Sequence, residues 1–139
     1  MDKTLMIVDD SATMRMIVRR FLRSAGFKFD SIVEACNGKE ALMLLAVETV
    51  DMMLVDVDMP VMDGMELVRH VRKEKAYRDI RIVMVSKESS PDLMDRVLAD
   101  GADAYILKPF TPMMFEERLT PFLYFAPAES QPDQGSVVK

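Results

Sequence analysis

Polar side chains that can do chemistry follow four short apolar runs of the sequence. The runs are LMIV, MMLV, IVMV and AYIL, and the residues that follow them are Asp9 with Asp10, Asp56, Ser86 and Lys108. Carboxylates bind Mg²⁺ or Mn²⁺, which prefer oxygen ligands. An ammonium group beside such a metal neutralises phosphoryl oxygens in a transition state. Brought together, these side chains would suit phosphoryl transfer.

Clustered carboxylates need a compensating positive charge. Two carboxylates about 4 Å apart repel by about 4 kcal/mol at an effective dielectric constant near 20. Burying either one without a partner costs more. A divalent cation together with Lys108 would offset this repulsion.

The order of apolar runs and helical patterns predicts how these side chains are positioned. Five runs with the character of buried strands alternate with five segments of helical spacing, which predicts parallel βαβ units with helices on both sheet faces. Right-handed crossovers then place the carboxyl ends of all strands at one edge, where ligands bind. The predicted strands are residues 5–8, 31–35, 52–55, 82–85 and 104–107, and the helices follow Ser11, Gly38, Gly64, Ser90 and Thr111.

Each of these polar signals is weak alone. An Asp-Asp pair after a strand is commonly a helix cap, Asp58 and Asp63 have the character of turn residues, and a single lysine is usually solvated. Their joint occurrence at successive strand ends is far harder to produce by accident, so it favours a functional site.

Four motifs carry a resemblance to a known family. The segments IVDDS, LVDVDMPVMDG, VMVS and YILKPF resemble the receiver domain of bacterial two-component response regulators, from about Lys3 to Leu123. The stretch VDDSATMRMIVRRFLRSAGF is similar to stand-alone chemotaxis regulators of the CheY type. The resemblance implies a flavodoxin-like, doubly wound five-stranded parallel sheet in the order 2-1-3-4-5 with five helices.

The resemblance also implies a role for each acidic residue. Asp56 would be the phosphoacceptor, taking a phosphoryl group from a phosphohistidine of a sensor histidine kinase. Asp10 would ligate Mg²⁺ directly and Asp9 through water, with Asp56 and the backbone carbonyl of Asp58 as further ligands. Lys108 would contact the phosphoryl group, next to a cis bond to Pro109. Such a protein promotes its own phosphorylation and dephosphorylation but is not otherwise an enzyme.

Ser86 and Tyr105 would act as the switch. In the family the hydroxyl at Ser86 moves to the phosphoryl oxygens and the aromatic ring at Tyr105 turns inward behind it. This would change the face made by helix 4, strand 5 and helix 5. An output protein, possibly the flagellar switch, would bind there, and a phosphatase is a further expected partner.

Three positions depart from or vary within the family pattern. Lys87 stands where a small residue is usual, so it would narrow access to the site or add a second cation. Asp58 and Glu88 are both acidic at variable positions and are expected to modulate the lifetime of the acyl phosphate. The direction of that effect stays open.

Composition narrows the classes of function. The formal net charge of −5 disfavours a nucleic-acid partner within this chain or an anionic membrane surface. One cysteine excludes an internal disulfide, and no run approaches the roughly 20 apolar residues of a membrane span. These features favour a cytoplasmic protein.

Pro121 and the residues after it predict the end of the domain. Because proline lacks a donor and clashes with the preceding turn, we expect helix 5 to end near Thr120. Residues 1–125 are interpreted as the receiver domain and residues 126–139 as a flexible tail or linker, since the latter lack a packable apolar pattern.

Arginines on the first helix allow two interpretations. Arg15, Arg19, Arg20 and Arg23 form either a solvated face or, with Met16 among them, a kinase-docking patch. The pattern does not favour one over the other.

Two rival functions remain. A haloacid-dehalogenase-type phosphatase also carries a strand followed by Asp-x-Asp, as in LVDVD, but it expects Thr or Val where Pro60 stands. A non-phosphorylated interaction module on the receiver fold would be favoured by a missing acid or lysine, and none is missing.

Overall fold

Strands and helices alternate along the chain as the apolar spacing predicts. The computed structural model describes residues 3–123. Its strands are β1 (Thr4–Val8), β2 (Ser31–Ala35), β3 (Met52–Asp56), β4 (Arg81–Ser86) and β5 (Ala104–Leu107). Its helices are α1 (Ala12–Ser24), α2 (Gly38–Leu45), α3 (Gly64–Lys73), α4 (Pro91–Ala99) and α5 (Pro112–Leu123), with a 3₁₀ turn at Lys75–Tyr77.

All five strands are parallel in one sheet of order β2-β1-β3-β4-β5. This confirms the predicted flavodoxin-like α/β architecture and its strand order. β1 and β3 are neighbours, with Val8 opposite Val55, so the residues that follow these two partners emerge side by side. The chain reverses direction across the sheet at β1 and β3, which is where ligands bind in folds of this class.

The two faces of the sheet are covered by different helices. One apolar cluster joins the sheet to α2, α3 and α4 through residues such as Leu45, Leu67 and Val97. The other joins it to α1 and α5 through residues such as Leu22 and Phe115. Because β1, β3 and β4 are buried on both faces, their sequences are nearly continuous apolar runs.

The helix ends are capped by the residues that the sequence predicts. The Ser11 hydroxyl accepts a hydrogen bond from the Met14 N–H at 3.1 Å, and the Thr111 hydroxyl accepts one from the Met114 N–H at 3.2 Å. Gly26 closes α1 with φ +92°, a backbone conformation that side chains with a Cβ rarely adopt. These caps fix where α1 and α5 begin relative to the strand ends.

The expected end of helix 5 near Thr120 is wrong, because α5 continues to Leu123 with Pro121 inside it. Proline leaves the Glu117 carbonyl without its helical donor, but Phe122 and Leu123 pack against the α1–α5 core. The Arg81 guanidinium also lies 5.5 Å from the centre of the Phe122 ring. Apolar packing of the last turn therefore outweighs the missing hydrogen bond.

The end of the predicted domain lies partly outside the described residues. The boundary at residue 125 and the proposed tail at 126–139 fall beyond Leu123 and stay predictions. Within residues 3–123, every helix is too short or too polar to cross a bilayer.

Candidate functional site

Three carboxylates meet at the carboxyl edge of the sheet, where the sequence places them. Asp9 and Asp10 follow β1, and Asp56 is the last residue of the adjacent β3. One carboxylate oxygen from each of the three lies within 4.8 Å of the other two. Asp9 and Asp56 are 5% and 6% exposed, whereas Asp10 is exposed.

Lys108 supplies a positive charge to this cluster. Its Nζ lies 3.1 Å from Asp56 Oδ1 and 3.9 Å from Asp9 Oδ2. Its backbone N–H donates to the Ser86 carbonyl at 2.8 Å, and the bond to Pro109 is cis. Lys108 is therefore held next to the acids and is not a freely solvated lysine.

One ammonium group does not offset two buried carboxylates. Burial raises the pKa of Asp56 to about 6, although the hydrogen bond from Lys108 acts in the opposite direction. Burial also raises the pKa of Asp9, against the hydrogen bond that its carboxylate accepts from the Ser11 N–H. The site therefore favours an additional positive charge.

The donor set suits a hard divalent cation. Three carboxylates offer only oxygen, which Mg²⁺ prefers, and the exposure of Asp10 leaves room for the waters that Mg²⁺ retains. Within residues 3–123, no protein donor contacts the backbone carbonyl of Asp58, so that oxygen is also free to act as a ligand. The residues present thus fit the predicted metal.

Ser86 and Tyr105 are joined through one backbone segment. Ser86 ends β4, is 1% exposed, and its hydroxyl accepts a hydrogen bond from the Glu88 N–H at 3.1 Å. The Tyr105 hydroxyl donates to the Glu88 carbonyl at 2.9 Å, and its ring is buried. The side chains of Lys87 and Glu88 are exposed. A movement of the β4–α4 segment would therefore be felt by both Ser86 and Tyr105.

The β3–α3 junction is packed too closely for a side chain at Gly64. A Cβ there would clash with the Asp56 carbonyl oxygen, and the Gly64 N–H donates to the Val57 carbonyl at 2.9 Å. Asp63 caps α3 by accepting from the Glu66 N–H at 2.9 Å. Asp63 therefore acts as a turn and cap residue, and Gly64 allows Asp56 to sit against α3.

Arg15 was not predicted to belong to the site. Its Nη1 donates to the Asp9 carbonyl at 2.5 Å, and its Nε lies 2.6 Å from the Glu34 carboxylate. Arg19 also pairs with Glu34 at 2.6 Å. Arg15 thus joins the acidic loop after β1 to Glu34 of β2, and Arg19 pairs with the same glutamate. The sequence carries no local signal for this, because the partners are 19 and 15 residues away.

Similarity to known proteins agrees with this geometry. Residues 5–120 match the model of the response regulator receiver domain. The chain belongs to this family. Family members are phosphoacceptors rather than enzymes in the usual sense.

Several relatives of this receiver are chemotaxis proteins. It is 43% identical over 116 residues to a chemotaxis protein CheY homolog of Campylobacter jejuni, covering 83% of this chain and 88% of the relative. The structure of the Vibrio cholerae chemotaxis response regulator CheY4 matches with TM-score 0.74 and 33% identity, over 84% and 95% of the two chains.

A third match contains a partner protein. The structure of a CheX–CheY–BeF₃–Mg²⁺ complex from Borrelia burgdorferi matches with TM-score 0.76 and 25% identity, covering 86% of this chain and 87% of that chain. The chain is thus a receiver of the CheY type, a class of two-component signalling protein in which phosphorylation controls activity.

Proposed function

We propose that Asp56 accepts a phosphoryl group from a sensor histidine kinase in a Mg²⁺-dependent reaction. One observation carries the proposal: Asp56 lies within 4.8 Å of two further carboxylates and 3.1 Å from the Lys108 ammonium. Asp56 lies closer to the Lys108 ammonium than Asp9 does, at 3.1 Å against 3.9 Å. A phosphoryl group on Asp56 Oδ1 would therefore lie between opposite charges.

The residues around Asp56 have separate tasks. Asp9 and Asp10 would hold Mg²⁺ together with Asp56 and the Asp58 carbonyl, and Mn²⁺ would serve equally. When bound, the cation neutralises phosphoryl oxygens. Lys108 pairs with another phosphoryl oxygen and orients the group for in-line transfer. The solved complex of a relative with BeF₃ and Mg²⁺ supports this assignment.

The same site would also release the phosphoryl group. A receiver that binds Mg²⁺ and the phosphoryl oxygens promotes both its own phosphorylation and its own dephosphorylation. Asp58 follows β3, Lys87 and Glu88 follow β4, and these three exposed residues would set the lifetime of the acyl phosphate. Asp58→Asn tests this, because an unchanged decay rate would contradict a role for that carboxylate.

The expected output is a change in partner binding. Phosphorylation would draw the Ser86 hydroxyl away from the Glu88 N–H toward the phosphoryl oxygens, which releases the β4–α4 segment that Tyr105 holds. The altered face of α4, β5 and α5 would bind an output protein, possibly the flagellar switch, and a phosphatase would act on the phosphorylated form. We place this signalling in the cytoplasm, with residues 1–125 as the receiver and 126–139 as tail or linker.

The proposal is tested by intact mass after incubation with acetyl phosphate, with and without Mg²⁺. We expect one phosphoryl adduct on the wild type that requires Mg²⁺ and is lost in Asp56→Asn. Asp79→Asn changes an exposed carboxylate that precedes β4, at the edge of the sheet opposite the site; it is the matched control and should retain the adduct. An adduct that persists in Asp56→Asn, or none on the wild type, would contradict the proposal.

A further inference from the structure

The short loop between β1 and α1 carries two of the three clustered carboxylates, and hydrogen bonds hold its backbone on both sides. The Asp9 N–H donates to the Ala35 carbonyl of β2 at 3.0 Å. The Asp9 carbonyl accepts a hydrogen bond from Arg15 Nη1 at 2.5 Å, and within residues 3–123 no other residue donates to it. Arg15 is therefore the side chain that fixes the direction of this carbonyl.

The Asp9 carbonyl belongs to the peptide bond that joins Asp9 to Asp10. Because a peptide bond is planar, fixing the direction of the carbonyl also fixes the plane from which the Asp10 side chain departs. The Asp9 carboxylate has support of its own, since it is buried and accepts a hydrogen bond from the Ser11 N–H at 2.9 Å. Asp10 is exposed, so its position depends more on the peptide that Arg15 holds.

Glu34 orients Arg15 and offsets its charge. One Glu34 carboxylate oxygen lies 2.6 Å from Arg15 Nε, and the other lies 2.6 Å from Arg19 Nε. Partial burial acts to raise the pKa of Glu34, but the hydrogen bonds from the two arginines lower it below its usual value. Glu34 is therefore ionised at neutral pH, and it reduces the positive charge that Arg15 brings close to a cation site.

We propose that Arg15 is a positioning residue for the divalent cation, because it sets the peptide that places the Asp9 and Asp10 carboxylates beside Asp56. The inference rests on the proposed metal site of these three acids. One carboxylate oxygen from each lies within 4.8 Å of the other two, and rotation of the peptide would swing Asp10 away from its neighbours. Groups that orient metal ligands commonly contribute about tenfold to a hundredfold to metal affinity.

The sign of the effect separates positioning from simple electrostatics. The Arg15 guanidinium is a positive charge in contact with the acidic loop, so its Coulomb field opposes a bound cation. If charge were its whole contribution, removing Arg15 would tighten cation binding. If positioning dominates, removing it weakens cation binding even though the repulsion is relieved.

The proposal is tested by titrating the full chain with Mn²⁺ and measuring free Mn²⁺ by electron paramagnetic resonance, which gives the affinity and the number of sites. We expect Arg15→Met to weaken Mn²⁺ binding by about tenfold. Arg15→Lys keeps the charge but loses the planar fork that reaches both Asp9 and Glu34, and it should weaken binding by about threefold. Arg19→Met is the matched control. It should change the affinity by less than about twofold, because Arg19 contacts Glu34 and the Ile32 carbonyl but not the acidic loop.

Each contrary result has a separate meaning. Unchanged or tighter binding by Arg15→Met, or equal weakening in Arg15→Met and Arg19→Met, would overturn the positioning role. Fewer sites per chain at the wild-type affinity would also overturn it, because partial unfolding removes sites without weakening those that remain. If Arg15→Met does not fold, wild-type affinity in Arg15→Lys would overturn it instead. In all these cases Mn²⁺ binding by the wild type leaves the proposed function standing, whereas a wild type that binds no Mn²⁺ would overturn both.

Discussion

At the scale of single residues, folding makes the charged form of Asp56 less favourable than it is in the unfolded chain. Its carboxylate is nearly buried, and burial raises its pKa to about 6 despite the hydrogen bond from Lys108. An aspartate in the unfolded chain has a pKa near 3.9. The folded protein therefore binds this proton more tightly than the unfolded chain does.

The sign of the resulting pH dependence follows from this difference. The contribution of Asp56 to stability is fully present below about pH 4 and is lost as the pH rises through about 6. Above that value its ionised form destabilises the metal-free protein, by an amount on the order of 2–3 kcal/mol from a shift of about two units. The ionised Asp56 carboxylate is also the form that would bind a cation or attack phosphorus.

We predict that Asp56→Asn stabilises the metal-free protein at pH 7.5 by about 2 kcal/mol and changes its stability much less near pH 4. The reason is that asparagine removes the buried charge while keeping the shape of the side chain. Urea unfolding in a metal chelator at both pH values measures this difference. Asp58→Asn, an exposed acid two residues later, should shift stability little; equal or lower stability of Asp56→Asn at pH 7.5 would contradict the electrostatic account.

At the scale of elements, the sequence predicts where the strands end, but it does not predict contacts between residues that are distant along the chain. Four of the five apolar runs are followed by a polar side chain of the candidate site, so the positions of Asp9, Asp56 and Ser86 could be predicted from local pattern and sheet topology. The bracing of the Asp9 carbonyl by Arg15 depends on a partner brought close only by folding. Pro121 was misjudged for the same reason, because packing after it decides where α5 ends.

We predict that Pro121→Ala raises the free energy of unfolding by about 1 kcal/mol. Alanine restores an N–H donor for the Glu117 carbonyl and removes the clash of the proline ring, while Phe122 keeps its packing. Pro112→Ala is the matched control, since Pro112 stands at the first helical position, where proline is favourable. A loss of stability in Pro121→Ala would contradict this prediction. It would show that Phe122 and Leu123 need the proline in order to pack against the core.

At the scale of the whole molecule, the edge of the sheet opposite the site is tied together by Arg72. Its Nε donates to the Gly101 carbonyl at 2.9 Å, and its Nη atoms donate to the Tyr77 and Ile80 carbonyls at 3.1 and 2.7 Å. It also contacts the Asp103 carboxylate at 3.1 Å. One guanidinium thus joins α3 to the segments that lead into β4 and β5, leaving the carboxyl edge free for chemistry.

We predict that Arg72→Lys lowers the free energy of unfolding by about 2–3 kcal/mol, because one ammonium cannot satisfy these separated acceptors. The rate of phosphorylation of the folded protein should stay unchanged, since the opposite edge of the sheet is affected. Arg69→Lys, whose guanidinium is half exposed and makes one ion pair with Asp100, should cost under about 1 kcal/mol. A similar loss in both variants would contradict the special role of Arg72.

The acceptor role of Asp56 is tested by locating the phosphoryl group on the chain. After incubation with Mg²⁺ and acetyl phosphate, borohydride reduction converts an aspartyl phosphate to homoserine, and peptide mass mapping identifies the position. We expect homoserine at position 56 and at no other aspartate, with its yield dependent on Mg²⁺. Homoserine at Asp9 or Asp10, or an unmodified Asp56 in a protein that carries the phosphoryl adduct, would contradict it.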